Sequence, residues 1–509
     1  GSALEMTEEQ KNDAHDDELN SLVLPSMAPS SLFNHFGPGL ILMMTGIGTS
    51  HMITAPVAGG RFEYALLWCL PVAYIFKYYG FEMAFRFTNA TGRSMLDAYS
   101  TAWKKLPVWY VLITTIIQQA IGQAGRLIAA AAVVFYFAHE YIGIDIGGLN
   151  DNLELALYAA ILGVSSVLII LRGRYAAVEV VTKIAAGMLI VCTIGVYFVR
   201  PAPMVEFVHF FQLDTPEGSW LIIASFLGLL PTGIDVSLQA SEWGKAKKAG
   251  MGRIRETLEK RGLAKPYDPF GDGEKDLSVD TLNLPDHARE YCRRWFKIGL
   301  WDFRFGHVIS FILAAIFMLL AAVMMYPSEV AGNAVMGEIA RIFTESVGPW
   351  AMVIFLMGAL AATYSTAFNY FDGWPRVVGA CCRNLFRKTA ALPGTARDEL
   401  SEEHLKRWYS EYNIYRISML FSLIASVAII GGLPRPVYLV LVASALAYFV
   451  APVIFFLNLY FCLTVIPKDD KMFYPSPFAK WFGWLSVFVF TGMSLMLILQ
   501  RIFGIAMFS

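Results

Sequence analysis

The stretch MMTGIGTSHMITAPVAGG, Met43–Gly60, decides how the rest of the chain is read. It stands in a long apolar run of the kind that crosses a bilayer, yet its middle holds Gly46, Gly48, Thr49, Ser50 and His51. In hydrocarbon every backbone N–H and C=O needs a partner. Irregular backbone at mid-span is therefore tolerated only where it lines a cavity or is buried in protein. A second stretch, LGLLPTGIDVSLQAS (Leu227–Ser241), has the same make-up. Thr45-Gly46-Ile47 recurs there as Thr232-Gly233-Ile234, and a serine follows three residues after each isoleucine, at Ser50 and Ser237. Pro231 removes a donor and disturbs the turn before it. Both stretches read as helix breaks whose freed amides and carbonyls can bind a solute.

Working outward, a crossing helix takes about 20 apolar residues. Eleven stretches qualify: 36–58, 64–88, 107–138, 153–171, 177–199, 219–242, 301–326, 349–372, 411–431, 435–462 and 479–506. The two breaks fall in the first and the sixth. If spans one to five and six to ten are repeats, an odd number of crossings inverts the second. That is the layout of secondary transporters whose discontinuous helices meet at the bilayer midplane. The expected fold is all-α and integral to the membrane. Lys and Arg gather in 89–106, 172–176, 243–300, 373–410 and 463–478, whereas the other loops hold little beyond Arg61, Arg200, Arg341 and Arg435. This bias places the N-terminus in the cytoplasm and the C-terminus outside. The expected location is a bacterial inner (plasma) membrane.

Composition agrees. The chain has 509 residues, 56% hydrophobic and 16% charged, with a net charge of −1 that gives nucleic acid no reason to bind. Its six cysteines are scattered, without a disulfide framework or zinc spacing. The organisation expected is a leading segment, 1–35, comprising a cloning scar (GSALE) and a disordered acidic tail; 36–242, the first repeat with span six; a cytoplasmic insert, 243–300; and 301–509, spans seven to eleven. Within the insert KPYDPFGDGEKD resembles a calcium loop only loosely, because Phe270 stands where a ligand should be and no glutamate closes the loop. The insert reads as a solvated loop with basic faces near anionic headgroups.

GPGLILMMTGIGTSH followed by AGGRFEYALLW, then FRFTNATGRS, RGRYAAVEVV, LGLLPTG and ALAATYSTAFNYF, resemble the Nramp family of divalent-metal transporters over most of residues 35–465, the stretch 243–285 excepted. The resemblance implies a LeuT-type fold: eleven helices in a 5+5 inverted repeat with helices 1 and 6 broken. The departures lie at the site. The family's first-span Asp-Pro-Gly-Asn reads here Gly48, Thr49, Ser50, His51, and no carboxylate stands between Glu18 and Glu63. Its metal-binding methionine falls on Leu230, and the histidine after its proline falls on Thr232. Its third-span proton-path carboxylates fall on Gln119 and Gly122, and its tenth-span glutamine falls near Ala445.

The substrate site is therefore expected at Gly48, Thr49, Ser50, His51, Pro231, Thr232, Gly233 and Asp235. Arg126, Gln119, Glu82 and Asn369 are the candidates for coupling or gating. Transition metals need imidazole, thiolate, thioether or carboxylate ligands, and the expected site offers one imidazole among hydroxyls and carbonyls. The expected cargo is an oxyanion or a neutral polar solute, bound by free amides at the half-helix N-termini. A hard, hydrated divalent cation such as magnesium, with Asp235 supplying charge, is the alternative, and a transporter-derived sensor is a further one. No resident cofactor or metal is expected. Catalytic motifs of the HExxH, GxSxG or Walker kind are missing, so an enzyme is not expected. The expected partners are the lipid bilayer and a small solute or ion.

Overall fold

The computed structural model describes residues 7–144, 146–271, 273, 277–328, 348–432 and 436–502. The regular structure among them is helical, apart from one isolated bridge between Ala264 and Val279. Two helices precede the bundle, α1 (Glu8–Asn20) and α2 (Pro29–His35). The first expected span comprises α3 (Pro38–Thr49), a π-helical turn (Ser50–Thr54) and α4 (Ala55–Phe62). The second is α5 (Cys69–Thr91). The third joins α6 (Leu106–Ile117) through a π turn (Gln118–Gly122) to α7 (Gln123–Tyr136). Spans four and five form one 49-residue run, α8 (Asp151–Val199), interrupted at Arg174 (φ 51°, ψ −139°) inside the expected 172–176 turn. Span six is α9 (Trp220–Leu229) and α10 (Val236–Lys247). Then follow α11 (Asp286–Met324), α12 (Pro349–Leu385), α13 (Glu411–Gly432), α14 (Pro436–Val465) and α15 (Pro477–Ile502). Among the described residues, seven helical stretches, including α8, α11 and α12, are long and apolar enough to cross a membrane. The α5 helix is less apolar because Lys77, Glu82 and Arg86 are buried in it.

Only one of the two breaks is an unwound segment. In span six, Leu230–Asp235 separates two helices. In span one the helix runs on through Gly46 and Gly48, and the irregularity is the π turn. Pro56 cannot donate to the Met52 carbonyl four residues back, and a π turn is a common local response to such a defect. The glycines serve close approach instead. A Cβ on Gly46 would lie 2.0 Å from the Pro231 carbonyl oxygen, and one on Gly48 2.5 Å from Thr366 Oγ1. The span-six break is packed directly against span one.

Two other expectations change. The tail expected to be disordered forms α1, started by a capping box between Thr7 and Gln10. It buries Leu19 and pairs Asp16 with Arg261 of the insert at 2.8 Å. Acidic composition disfavours self-association, but here it finds a basic partner surface. The insert is likewise folded rather than loose: the Arg255 guanidinium, 5% exposed, donates to the carbonyls of Leu277 (3.0 Å) and Lys265 (2.9 Å) and to that of Thr91 at the end of α5. The acidic residues Asp272, Glu274 and Asp276 of the calcium-like stretch lie outside the described residues, as does the cloning scar.

Candidate functional site

The break in α9–α10 organises the centre of the bundle. The C-cap Leu230 leaves the helix in extended backbone (φ −89°, ψ 132°), and Pro231 carries no amide to continue it. Thr232, Gly233 and Ile234 are buried, and the chain re-enters a helix only at Val236, with Asp235 at its N-cap. Thr232 Oγ1 faces the Tyr370 hydroxyl at 3.4 Å, and the Thr232 carbonyl accepts from Lys77 Nζ of α5 at 3.4 Å.

Below Asp235, towards the end of the bundle that carries the insert, a cleft opens among spans three, six, eight and ten. Thr114, Thr115, Gln118, Asp235, Gln239 and Trp374 are among its lining residues. Several buried polar atoms at or beside it have no hydrogen-bond partner among the described residues: Gln118 Oε1, Asp235 Oδ1, both amide atoms of Gln239, Gln123 Oε1 and Arg126 Nε. Buried polar atoms are almost always paired, so a cluster of unpaired ones needs an explanation such as a bound group. Arg126 donates to the Gly122 carbonyl (3.0 Å) and lies over the rings of Tyr370 (4.5 Å) and Trp374 (5.2 Å). Both Arg126 and Lys77 act electrostatically on Asp235.

Of the expected site residues, Pro231, Thr232, Gly233, Asp235 and Arg126 come together here. His51 belongs to a different group. It is fully buried, with Nε2 2.8 Å from the Ser310 carbonyl and 3.2 Å from the Tyr74 hydroxyl, in a knot that ties span one to spans two and seven. Gly48 donates its amide to Thr366 Oγ1 (2.7 Å), and the Thr366 hydroxyl donates to the Met44 carbonyl (2.8 Å). That is a helix contact rather than an open amide. The side chains of Thr49 and Ser50 lie outside the described residues. Gln119 is engaged by span nine: Ser418 donates to its Oε1 at 2.7 Å and Ser422 to its carbonyl at 2.6 Å. Its neighbour Gln118 faces the cleft instead, one residue round the π turn. Glu82 pairs with Arg86 at 2.7 Å, not with Arg126. Asn369 accepts from Thr182 at 3.1 Å, bridging spans five and eight.

Lys77 and Gln239 were missed in the sequence. An ionisable residue inside a spanning segment marks a functional site by default, and that signal was present at Lys77 in FKYYGFE.

The insert-bearing end is closed by buried ion pairs. Arg383 at the end of α12 meets Asp97 (2.9 Å), Glu242 of α10 (3.4 Å) and Glu411 of α13. Asp372 is fully buried, paired with Arg376 (2.8 Å) and accepting from Trp243 Nε1 (2.7 Å) and Tyr415. Lys247 bonds Glu179 (2.7 Å) and the Phe36 carbonyl (3.1 Å), and Glu179 also holds Lys183 at 3.0 Å. Burial opposes ionisation of Asp97, but Arg93 and Arg383 outweigh it and hold its carboxyl far below the usual carboxylate range.

The profile of the natural resistance-associated macrophage protein-like family (Nramp) matches residues 39–500. The chain belongs to this family. It is an all-helical integral membrane protein of a transporter family, whose members work on small solutes or ions within a lipid bilayer. Uncharacterized protein PM0681 of Pasteurella multocida (strain Pm70) is 21% identical over 445 residues, covering 84% of this chain and 85% of that protein. Among solved structures, the manganese transporter of Eremococcus coleocola in complex with an aromatic bis-isothiourea compound superposes with a TM-score of 0.59 at 14% identity, over 95% of this chain and 90% of that one. Mhp1, a nucleobase-cation-symport-1 family transporter in a closed conformation with bromovinylhydantoin bound, gives 0.52 at 12% identity, over 91% and 92%. These likenesses establish the LeuT-type fold.

Proposed function

We propose that this Nramp-family protein is a secondary transporter that moves a small, uncharged polar solute by alternating access, with eleven spans, its N-terminus in the cytoplasm and its C-terminus outside. The observation that carries the substrate class is the set of unpaired atoms at the span-six break. Gln118 Oε1, Asp235 Oδ1 and Gln239 Oε1 accept, while Gln239 Nε2 and Arg126 Nε donate. A mixed set of this kind suits a solute bearing both N–H or O–H donors and a carbonyl-type acceptor, flanked by the Trp374 ring. The fold does not choose between cargoes. One solved neighbour is a manganese transporter, and another carries bromovinylhydantoin. The break offers Leu230, Thr232, Gly233 and a single carboxylate, Asp235, on which Arg126 and Lys77 act electrostatically, a set that disfavours a bare transition-metal ion.

A hydrated hard cation such as magnesium is the second reading, favoured by the three unpaired oxygens, which could accept from retained water. Thermal-shift screening of the purified protein against small amides, ureas and polyols, Mg²⁺, Mn²⁺, sulfate and phosphate tests the assignment, followed by uptake into proteoliposomes. The proposal expects saturable stabilisation by a neutral compound that is lost in Gln239→Leu. A response confined to Mg²⁺ would establish the second reading, and micromolar Mn²⁺ binding would overturn both.

A further inference from the structure

In transporters of this architecture, the carbonyls freed where a helix unwinds are where a coupling cation binds. Here one such carbonyl, that of Thr232, is already met by an ammonium group. Lys77 is 0% exposed in the middle of α5. Its one described hydrogen-bond partner is the Thr232 carbonyl at 3.4 Å, and its Nζ lies 5.8 Å from the centre of the Phe490 ring. The carboxylate of Asp235, at the far end of the same break, acts on it electrostatically. A lysine buried within a membrane span is costly, and such a residue marks a functional role by default. Neither a helix contact nor an ordinary ion pair accounts for it, because the groups it meets are a ring face and a freed carbonyl.

We infer that Lys77 is a tethered cation that occupies the place a coupling ion would take at the span-six break, so that the protein neither needs nor binds a monovalent cation there. A tethered ammonium supplies the charge and donors of a bound ion but cannot dissociate. It therefore stabilises the unwound backbone permanently and carries no energy from an ion gradient. The inference rests on the transporter reading, but its test needs neither an identified solute nor transport, so the two can fail separately.

The test is the thermal stability of the full-length purified protein in detergent, with choline chloride replaced by NaCl, KCl or LiCl at constant ionic strength. The wild type should show no saturable response. Lys77→Met should be less stable in choline and should regain stability with one of the small cations. At ten times the dissociation constant the folded-to-unfolded ratio should rise about tenfold. Lys77→Gln, which retains a donor for the Thr232 carbonyl, should show the same response from a milder starting point and serves if Lys77→Met does not fold. A saturable response in the wild type would overturn the inference whatever the variants do. So would a folded variant of either kind that ignores all three cations.

Discussion

Gly46→Ala is the sharpest test of how span one meets the break. The added Cβ would fall 2.0 Å from the Pro231 carbonyl oxygen and 2.9 Å from Thr232 Cβ. To restore the 3.4 Å of an ordinary contact, span one and the break must part by about 1.4 Å along that line. Pro231 O belongs to backbone, so no rotamer change relieves the clash. Overpacking a tight core costs about 1–3 kcal/mol, and with a rigid neighbour the upper end applies. About 3 kcal/mol is roughly a hundredfold in the folded-to-unfolded ratio. Gly48→Ala meets Thr366 Oγ1 at 2.5 Å, a hydroxyl that can turn aside at the loss of its bonds to Met44 and Gly48, and Thr366 Cβ at 2.7 Å, a contact that asks for a parting of about 0.7 Å, half that at Gly46. That costs about 1–2 kcal/mol. The assay is the apparent melting temperature of both variants in one detergent, with fluorescence-detected gel filtration to confirm monodispersity. Gly46→Ala should be clearly the less stable of the two. Wild-type stability in Gly46→Ala, or the reverse order, would refute direct packing of span one on the break.

Asp235→Asn should abolish the response to a neutral solute, while the added net positive charge gives a new, weak stabilisation by sulfate; an unchanged solute affinity would remove Asp235 from the site. His51→Ala strips a partner from Ser310 and Tyr74 and should cost about 1–3 kcal/mol; its uptake rate per folded molecule and its KM should stay within about twofold, against roughly tenfold or more if His51 bound the solute. Arg383→Met leaves Asp97, Glu242 and Glu411 buried around an uncharged side chain, a loss of about 3–5 kcal/mol, seen as a sharp fall in melting temperature. Asp97 has an ordinary pKa of 3.8 and a much lower one in the fold, so its contribution is complete above about pH 5 and is lost as pH falls through and below 3.8. Wild-type melting temperature should therefore fall in that acid range, and in Arg383→Met, where the folded-state pKa of Asp97 moves back towards its ordinary value, the acid-induced fall should be smaller.

Much of the fold was legible because hydrophobic length and charge bias are properties of the chain alone. The turn at Arg174 and the break after Leu230 both follow from local residue types. The site was legible only where its chemistry was local. Pro231 to Asp235 announced itself by Pro, Gly and a lone acid. His51 misled because a histidine in an apolar run has two uses, ligand or satisfied core residue, and only the position of Ser310, some 260 residues away in the chain, decides between them. Gln118 and Gln119 are adjacent amides. A π turn shifts helical phase, so periodicity could not say which one faces the cleft. The acidic tail was judged by its own composition, whereas its order comes from Arg261 of the insert.

The charges at the break constrain the cargo further. With Lys77 and Arg126 protonated and Asp235 ionised the three sum to +1, and the low dielectric of the bilayer interior makes any uncompensated charge expensive. A divalent ion entering this group would raise it to +3, with a single carboxylate to oppose two fixed cations, so retained hydration would have to supply most of the favourable contacts. An oxyanion would lower the sum but would set its lone pairs against Gln118 Oε1, Asp235 Oδ1 and Gln239 Oε1, three oxygens that need donors. If Lys77 is spent on the Thr232 carbonyl, the remaining pair, Arg126 and Asp235, balances without help, and each keeps an unpaired atom, one donor and one acceptor. A neutral solute that offers an acceptor to the guanidinium and a donor to the carboxylate satisfies both atoms without changing the sum.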